Sequence, residues 1–442
     1  MERNKSIRSE ILKIAIPSVL ESLFSTLASI IDSKMVSSMG ITAISAISVT
    51  NQPRLFLMCI FFAINIVATS LTARYIGKEN RDGANRVLVV ALWITLIGVA
   101  VVSVVSVIFA PQIMEITSKQ PDTMADSVLY FRIMMGGLVF NVMFMAINAV
   151  LRGCGKTNMT FISNVISCTA NVVLNYLLIN GNLGFPALKI AGAAIATVAG
   201  NFFALIACVS ILFRKNEYVN LPYCIENKIH TSKEILKEMW DMWNKVFPEN
   251  VLNRIGFLLI GMMASRTGSL TMSVYSVGMN ILNINLAIGT GFQSASVALI
   301  GRSYGAGNKD EIKLYSKKIL HYGRICGLVL GIVVFIFGIY FYDFFNDDIY
   351  FLAYGWLSCF IIGIICPIQV IQVVLTGILQ GLGEMKSTLR IGFISNTIVN
   401  VSVTYILTTV FNFSIFGVWI GALLAQAVRA GLSKKVLKRV TE

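Results

Sequence analysis

Apolar runs broken by short polar turns recur along this chain from end to end. Each is long enough to supply the roughly 20 residues an α-helix needs to cross a bilayer. The pattern predicts six helices near 11–37, 45–73, 86–110, 127–150, 158–180 and 189–213, and six more near 242–265, 270–300, 316–341, 349–378, 387–410 and 414–433. Between the two sets, the stretch from Arg214 to Trp240 is the long polar segment. The chain is therefore expected to be an all-α polytopic membrane protein. Its predicted parts are an N-lobe over 1–215 with helices 1–6, a cytoplasmic linker over 216–240, and a C-lobe over 241–442 with helices 7–12.

Composition sharpens this reading. Of 442 residues, 56% are apolar and 13% charged, against about 25% charged in soluble domains. That balance excludes an ordinary soluble enzyme. The net charge of +14 would suggest nucleic acid in a soluble chain, but its placement says otherwise. Lys and Arg gather in alternate segments: the N-terminus (Arg3, Lys5, Arg8, Lys13), Arg74 to Arg86, Arg152 and Lys156, Arg214 to Lys237, Arg302 to Lys318, Lys386 and Arg390, and the tail Arg429 to Arg439. These hold 27 cations, whereas the opposite loops hold four: Lys34, Lys119, Lys189 and Arg266. By the positive-inside rule both termini are expected in the cytoplasm of a multi-pass cell-membrane protein. The surplus is a topology signal with some attraction to anionic lipid, and no nucleic-acid partner is expected. No short apolar core ending in a cleavage site opens the chain, so no cleaved signal peptide is expected. The eight cysteines lie singly without metal-ligand spacing, and His230 and His321 have no carboxylate or Cys partner at such spacing. Neither a metal, a phosphate loop nor catalysis is therefore expected.

A repeat lies under the pattern. One constant offset carries Met35–Gly40 onto Met263–Gly268, and Ser45 and Ser48 onto Ser273 and Ser276. It also carries Arg74, Gly77 and Asn80 onto Arg302, Gly305 and Asn308, and Leu151, Gly153 and Gly155 onto Leu379, Gly381 and Gly383. Lengthened by a single position, it brings Tyr176 to Tyr405, and Gly192, Ala193 and Ala196 to Gly421, Ala422 and Ala425. Each turn glycine is expected at a helix C-terminus that needs a left-handed residue. Six helices per half make the halves parallel, pseudo-symmetric repeats, an arrangement common in transporters.

The residues that carry a family resemblance are Pro17, Asp32 and Gly40; Asn51-Gln52-Pro53; ARYIGKEN and GRSYGAGN; LRGCGKT and LQGLGEMKST; and Asn171-Val-Val-Leu-Asn175-Tyr running to GFPALKIAGAAIAT. In order and twofold repetition they resemble the multidrug and toxic compound extrusion (MATE) transporters, in a DinF-like branch. The resemblance implies a V-shaped pair of six-helix lobes acting by alternating access. Amphipathic, often cationic organic compounds would leave in exchange for protons, with sodium as the alternative coupling ion. A sodium-coupled MATE antiporter and a flippase of lipid-linked metabolites from the same superfamily are the rival readings. A single chain acting with membrane lipid and a small organic substrate, and with no cofactor, is expected.

The chemistry should lie in the few polar groups left in lipid. Asp32 stands in Ser29-Ile30-Ile31-Asp32-Ser33, where a carboxylate is costly unless it meets a cavity or a partner; the rival reading is an interfacial acid neutralised by Lys34. Asn171 and Asn175, four apart, share a helix face, and are candidates either for a coupling role or for holding helices together. The resemblance assigns Asp32 to cation coupling, puts Thr197 beside it on the sixth helix, and expects an acid where Asn175 stands in archaeal-type relatives. The sodium-linked branch has a Glu in the seventh helix, where Ile255-Gly256-Phe257-Leu258 run here, and an Asp in the tenth, which offers Gln369, Gln372 and Thr376 instead. Proton coupling through Asp32, Asn171, Asn175 and Thr197 is therefore favoured. Gln369, Gln372 and Thr376 form a polar stripe, and with Gln52, Met58, Asn280 and Asn283 they are candidates either to line a substrate cleft or to pack helices together. Glu21, Arg54, Arg132, Glu249 and Arg254 are further charges within the runs, Glu249 and Arg254 being candidates to pair with each other.

Overall fold

A computed structural model describes residues 2–117, 121–215 and 217–441 of the chain. Lys119 and the side chains of Arg3 and Lys5 lie outside the described residues. The helices are α1 (Glu2–Ser37), α2 (Ile41–Gly77), α3 (Arg81–Ile108), α4 (Ala110–Thr117), α5 (Pro121–Gly136), α6 (Leu138–Gly153), α7 (Thr157–Leu178) and α8 (Lys189–Leu212). They continue as α9 (Leu221–Glu226), α10 (Lys233–Ser265), α11 (Ser269–Gly305), α12 (Lys309–Asp343), α13 (Ile349–Gly381) and α14 (Met385–Gly392). The chain then runs through a π-helical stretch at Phe393–Asn400, α15 (Val401–Tyr405), a second π-helical stretch at Ile406–Val410, and α16 (Ser414–Thr441).

Among the described residues, ten helical segments are long and apolar enough to cross a membrane, or eleven if α5 and α6, bent by 45° at their junction, form one span. α10 completes the expected twelve in length, but Glu249, Asn250, Asn253 and Arg254 interrupt its apolar stretch. Exposed large apolar residues such as Val101, Val104 and Ile108 on α3, and Ile332, Val333 and Ile336 on α12, mark lipid-facing surfaces, where the bilayer replaces protein as the apolar partner.

The repeat is visible in the element boundaries. α2 and α11 begin at Ile41 and Ser269 and end at Gly77 and Gly305; α3 and α12 begin at Arg81 and Lys309. Each of these pairs keeps the offset found in the sequence. Asn80 and Asn308 cap α3 and α12 alike, accepting from Gly83 N at 2.7 Å and Glu311 N at 3.2 Å, the favourable use of an amide at a helix start. The expectation about turn glycines needs correction. Gly77 and Gly305 are the last helical residues, and the left-handed residue comes two later, at Glu79 (φ 55°) and Gly307 (φ 69°). Gly155 and Gly383 do take φ of 74° and 72°. Gly153 serves contact instead: a Cβ there would lie 2.6 Å from the Thr69 carbonyl oxygen.

Two compact units emerge: Leu23–Trp243, and Asn244–Glu442 together with Met1–Ser22. They do not follow the expected cuts at 215 and 240. Ile7, Ile11, Ile14 and Ala15 of α1 are buried with Phe292, Leu299, Ile319 and Val374 of α11, α12 and α13, which assigns the start of α1 to the second half. The linker belongs to the first. Asn85 of α3 donates to the carbonyls of Arg81 and Tyr218 and accepts from Asn220 N and Cys224 Sγ. Arg81 donates to the Tyr218 and Glu217 carbonyls, Tyr223 donates to Asp82 at 2.7 Å, and Lys156 pairs with Glu217 at 3.0 Å.

Candidate functional site

Within the unit Leu23–Trp243, the close approach of α7 and α8 builds the polar centre. Gly200 allows it: a Cβ there would stand 2.7 Å from the Ser167 carbonyl oxygen. Asn171 and Asn175, one turn apart on α7, consequently reach both α8 and α1. Asn175, fully buried, donates from Nδ2 to Asp32 Oδ1 at 2.5 Å and to Asn171 Oδ1 at 3.3 Å. Asn171 Nδ2 donates to Thr197 Oγ1 at 3.1 Å, and the Thr197 hydroxyl donates to the Ala193 carbonyl at 3.0 Å. All four side chains named from the sequence as a coupling group thus join in one hydrogen-bonded row across three helices. Asp32 turns to Asn175 as its partner, and among the described residues it forms no ion pair with Lys34.

The surroundings add two groups. Arg54 of α2 and Tyr130 of α5 lie within electrostatic range of Asp32. Tyr130 is buried beside Val36, Ala46 and Ala193. Arg54 forms no ion pair with Asp32, and its Nε is buried without a hydrogen-bond partner among the described residues. Sequence reasoning noted Arg54 only as a charge at membrane depth and missed Tyr130. The convergence of separate helices leaves no spacing signal in one dimension.

The cleft candidates separate by exposure. Gln52, Asn280 and Asn283 are exposed, whereas Met58 is buried. Gln369, Gln372 and Thr376 of α13 are buried inside their own unit, at 8, 5 and 6% exposure. Gln369 Oε1 accepts from Asn285 Nδ2 of α11 at 2.5 Å, and the Thr376 hydroxyl donates to the Gln372 carbonyl at 2.9 Å. Asn285, which the sequence did not single out, makes this stripe a joint between α11 and α13.

A second polar cluster lies in the unit containing Asn244–Glu442. Glu249 does not pair with Arg254: a separation of five positions places two helical side chains about 140° apart around the axis. Its partner is Arg429 of α16, at 3.0 Å, with both side chains largely buried. Glu249 Oε2 has no hydrogen-bond partner among the described residues. One turn along α10, Asn253 accepts from Asn396 Nδ2 at 2.6 Å, on the π-helical stretch Phe393–Asn400, a distortion often found where helices carry function. Among the described residues, no three His, Cys, Asp or Glu side chains gather as metal ligands.

Against known proteins, the MatE family model matches residues 17–177 and 246–406, one copy in each half. A "Probable multidrug resistance protein NorM" from Thermotoga maritima is 24% identical over 437 residues, spanning 98% of this chain and 92% of that protein. An "Uncharacterized transporter YisQ" from Bacillus subtilis is 22% identical over 90% of this chain and 87% of its own length. Among solved structures, one described as an "Outward-facing conformation of a multidrug resistance MATE family transporter of the MOP superfamily" superposes with a TM-score of 0.91 at 19% identity, covering 98% of this chain and 96% of that one. A "MOP superfamily transporter from Pyrococcus furiosus" superposes at 0.89 with 18% identity, covering 98% and 96%.

Proposed function

The chain belongs to the MatE family of membrane transporters, and from that premise we propose that it exports amphipathic, often cationic organic compounds in exchange for protons carried by Asp32. It works as a single chain in the cell membrane, by alternating access, with both termini in the cytoplasm. The observation that carries this reading is the Asp32 carboxylate of an apolar helix, ending a row of neutral hydrogen-bonding side chains.

Those neutral partners suit a proton carrier. An amide offers donors on one side and an acceptor on the other. Asn175 presents its NH2 to Asp32 Oδ1, a contact that suits the ionised carboxylate, while its Oδ1 is buried and has no donor among the described residues. Rotation of the amide would turn that oxygen toward a protonated Asp32, so each charge state finds a partner without a second acid. Arg54 supplies the exchange logic. With Asp32 ionised the two charges offset each other and an arriving cation meets a near-neutral site. With Asp32 protonated the Arg54 charge stands unopposed and disfavours a bound cation, so proton binding and cation binding become alternatives.

In proteoliposomes, Asp32→Asn is expected to abolish substrate efflux driven by a pH gradient while the purified variant keeps its thermal unfolding temperature. Retention of full pH-driven transport by that variant would remove Asp32 from coupling. Efflux driven by a sodium gradient at fixed pH would overturn the proton assignment.

A further inference from the structure

α12 begins within the cytoplasmic segment rich in Lys and Arg and continues as a lipid-facing span. Lys317, Lys318, His321 and Arg324, at helical spacing along it, line a surface pocket of about 360 Å³. None of the four has an acidic partner among the described residues. The acids nearest in the chain, Asp310 and Glu311, lie in the first turn, where Glu311 accepts from the Ser303 hydroxyl at 3.2 Å. Glu10 of α1 is engaged by Arg302 at 3.4 Å and by the Tyr315 hydroxyl at 2.5 Å. From Ile325 onward the helix has no charge until Asp343, and Ile325, Leu328, Val329, Ile332 and Ile336 are exposed.

The repeat shows that this cluster is not demanded by the shared fold. α3 is the counterpart of α12 in the first half and starts from the same asparagine cap. At the positions matching Lys317, Lys318, His321 and Arg324 it carries Val89, Val90, Trp93 and Leu96, of which Trp93 and Leu96 are exposed apolar residues of a lipid-facing helix. The second half therefore pushes cations nearly three turns deeper along an equivalent helix, counted from the position matching Arg86 to Arg324, to a level where the first half is already apolar. A topology signal has no need of that depth, since Arg81 and Arg86 suffice in α3. Exposed cations without an acidic partner, at the border of an apolar face, are suited to an anionic group at the same level.

We propose that this pocket seats the phosphate headgroup of an anionic phospholipid, whose acyl chains lie along the exposed apolar face that starts at Ile325. Lys and Arg side chains suit such a site because their stems lie on apolar surface while the charged ends reach the headgroup level. The site is separate from Asp32 and does not rest on the coupling ion.

Native mass spectrometry of the detergent-purified protein, with phosphatidylglycerol or phosphatidylethanolamine added, tests this. The wild type is expected to retain phosphatidylglycerol in preference. Replacing Lys317, Lys318 and Arg324 together by Gln should lower that affinity about 100-fold at an unchanged unfolding temperature, while Lys434→Gln with Lys435→Gln and Lys438→Gln leaves it intact. If the triple variant does not fold, Arg324→Gln alone should cost about fivefold. Equal retention by wild type and pocket variants overturns the proposal, as does an equal loss in the tail variant. Displacement of the lipid by millimolar inorganic phosphate would make this a free-anion site and overturns it too.

Discussion

Asp32 is held by an amide, and the row behind it passes through Asn171 to Thr197. The links should differ in consequence. Thr197→Val removes an outer hydrogen bond and is expected to cost about 0.6 kcal/mol, typical between membrane helices, with pH-driven efflux kept to within a few-fold. Asn175→Ala strips Asp32 of its donor and should reduce efflux far more, a contrast read by comparing initial rates and unfolding temperatures of the two variants. In the other unit, Glu249→Gln leaves Arg429 buried without a counter-charge and should destabilise by about 3–5 kcal/mol; adding Arg429→Met should recover most of that loss in thermal unfolding. The Asp32 row was readable in the sequence because an isolated acid in an apolar run and two amides one helical turn apart are one-dimensional signals. Arg429 was read as one more cytoplasmic cation, because nothing along α16 reports that α10 brings Glu249 to within 3.0 Å.

At the level of elements, the constant offset between the halves places helix starts, ends and asparagine caps alike in both. What it does not specify is which glycine serves which purpose. Gly153 lies against the Thr69 carbonyl and the Thr72 side chain, so Gly153→Ala is expected to overpack the α2–α6 contact by about 1–3 kcal/mol. Gly136→Ala, with no atom within 4 Å of the added Cβ, should leave the unfolding temperature in detergent nearly unchanged. The linker is likewise less free than its polarity suggests, since Asn85 donates to the Tyr218 carbonyl and its acceptor oxygen takes Asn220 N and Cys224 Sγ. Burial there pushes the Cys224 thiol up to about 11. A raised value means less thiolate at pH 8 than an ordinary cysteine carries, so maleimide labelling of Cys224 should be slow and should accelerate as pH approaches 11. Asn85→Ala is expected to unfasten the segment, speeding both that labelling at pH 8 and tryptic cleavage at Lys228.

For the whole molecule, the distribution of 27 cations against four leads to a topology with a direct check. Tags at the N- and C-termini should both be cleaved by protease in inside-out vesicles and both be protected in right-side-out ones. The twelve helices, the two related halves and the residues of the Asp32 row were accessible from the sequence alone. Bilayer thickness imposes a minimum length on each apolar run, and duplication imposes a register, and both act locally along the chain. Tertiary structure alone decided that the start of α1, as far as Ser22, packs with the second half, that the linker is fastened to the first, that Gln369, Gln372 and Thr376 are buried, with Gln369 bonded to Asn285 of α11, and that Arg54 and Tyr130 stand near Asp32. In lipid an apolar face can be satisfied by a neighbouring helix or by acyl chains at similar cost. Hydrophobic periodicity therefore places a segment in the membrane without naming its neighbours, and the choice among them falls to small-residue contacts and a few buried hydrogen bonds between residues far apart in the chain.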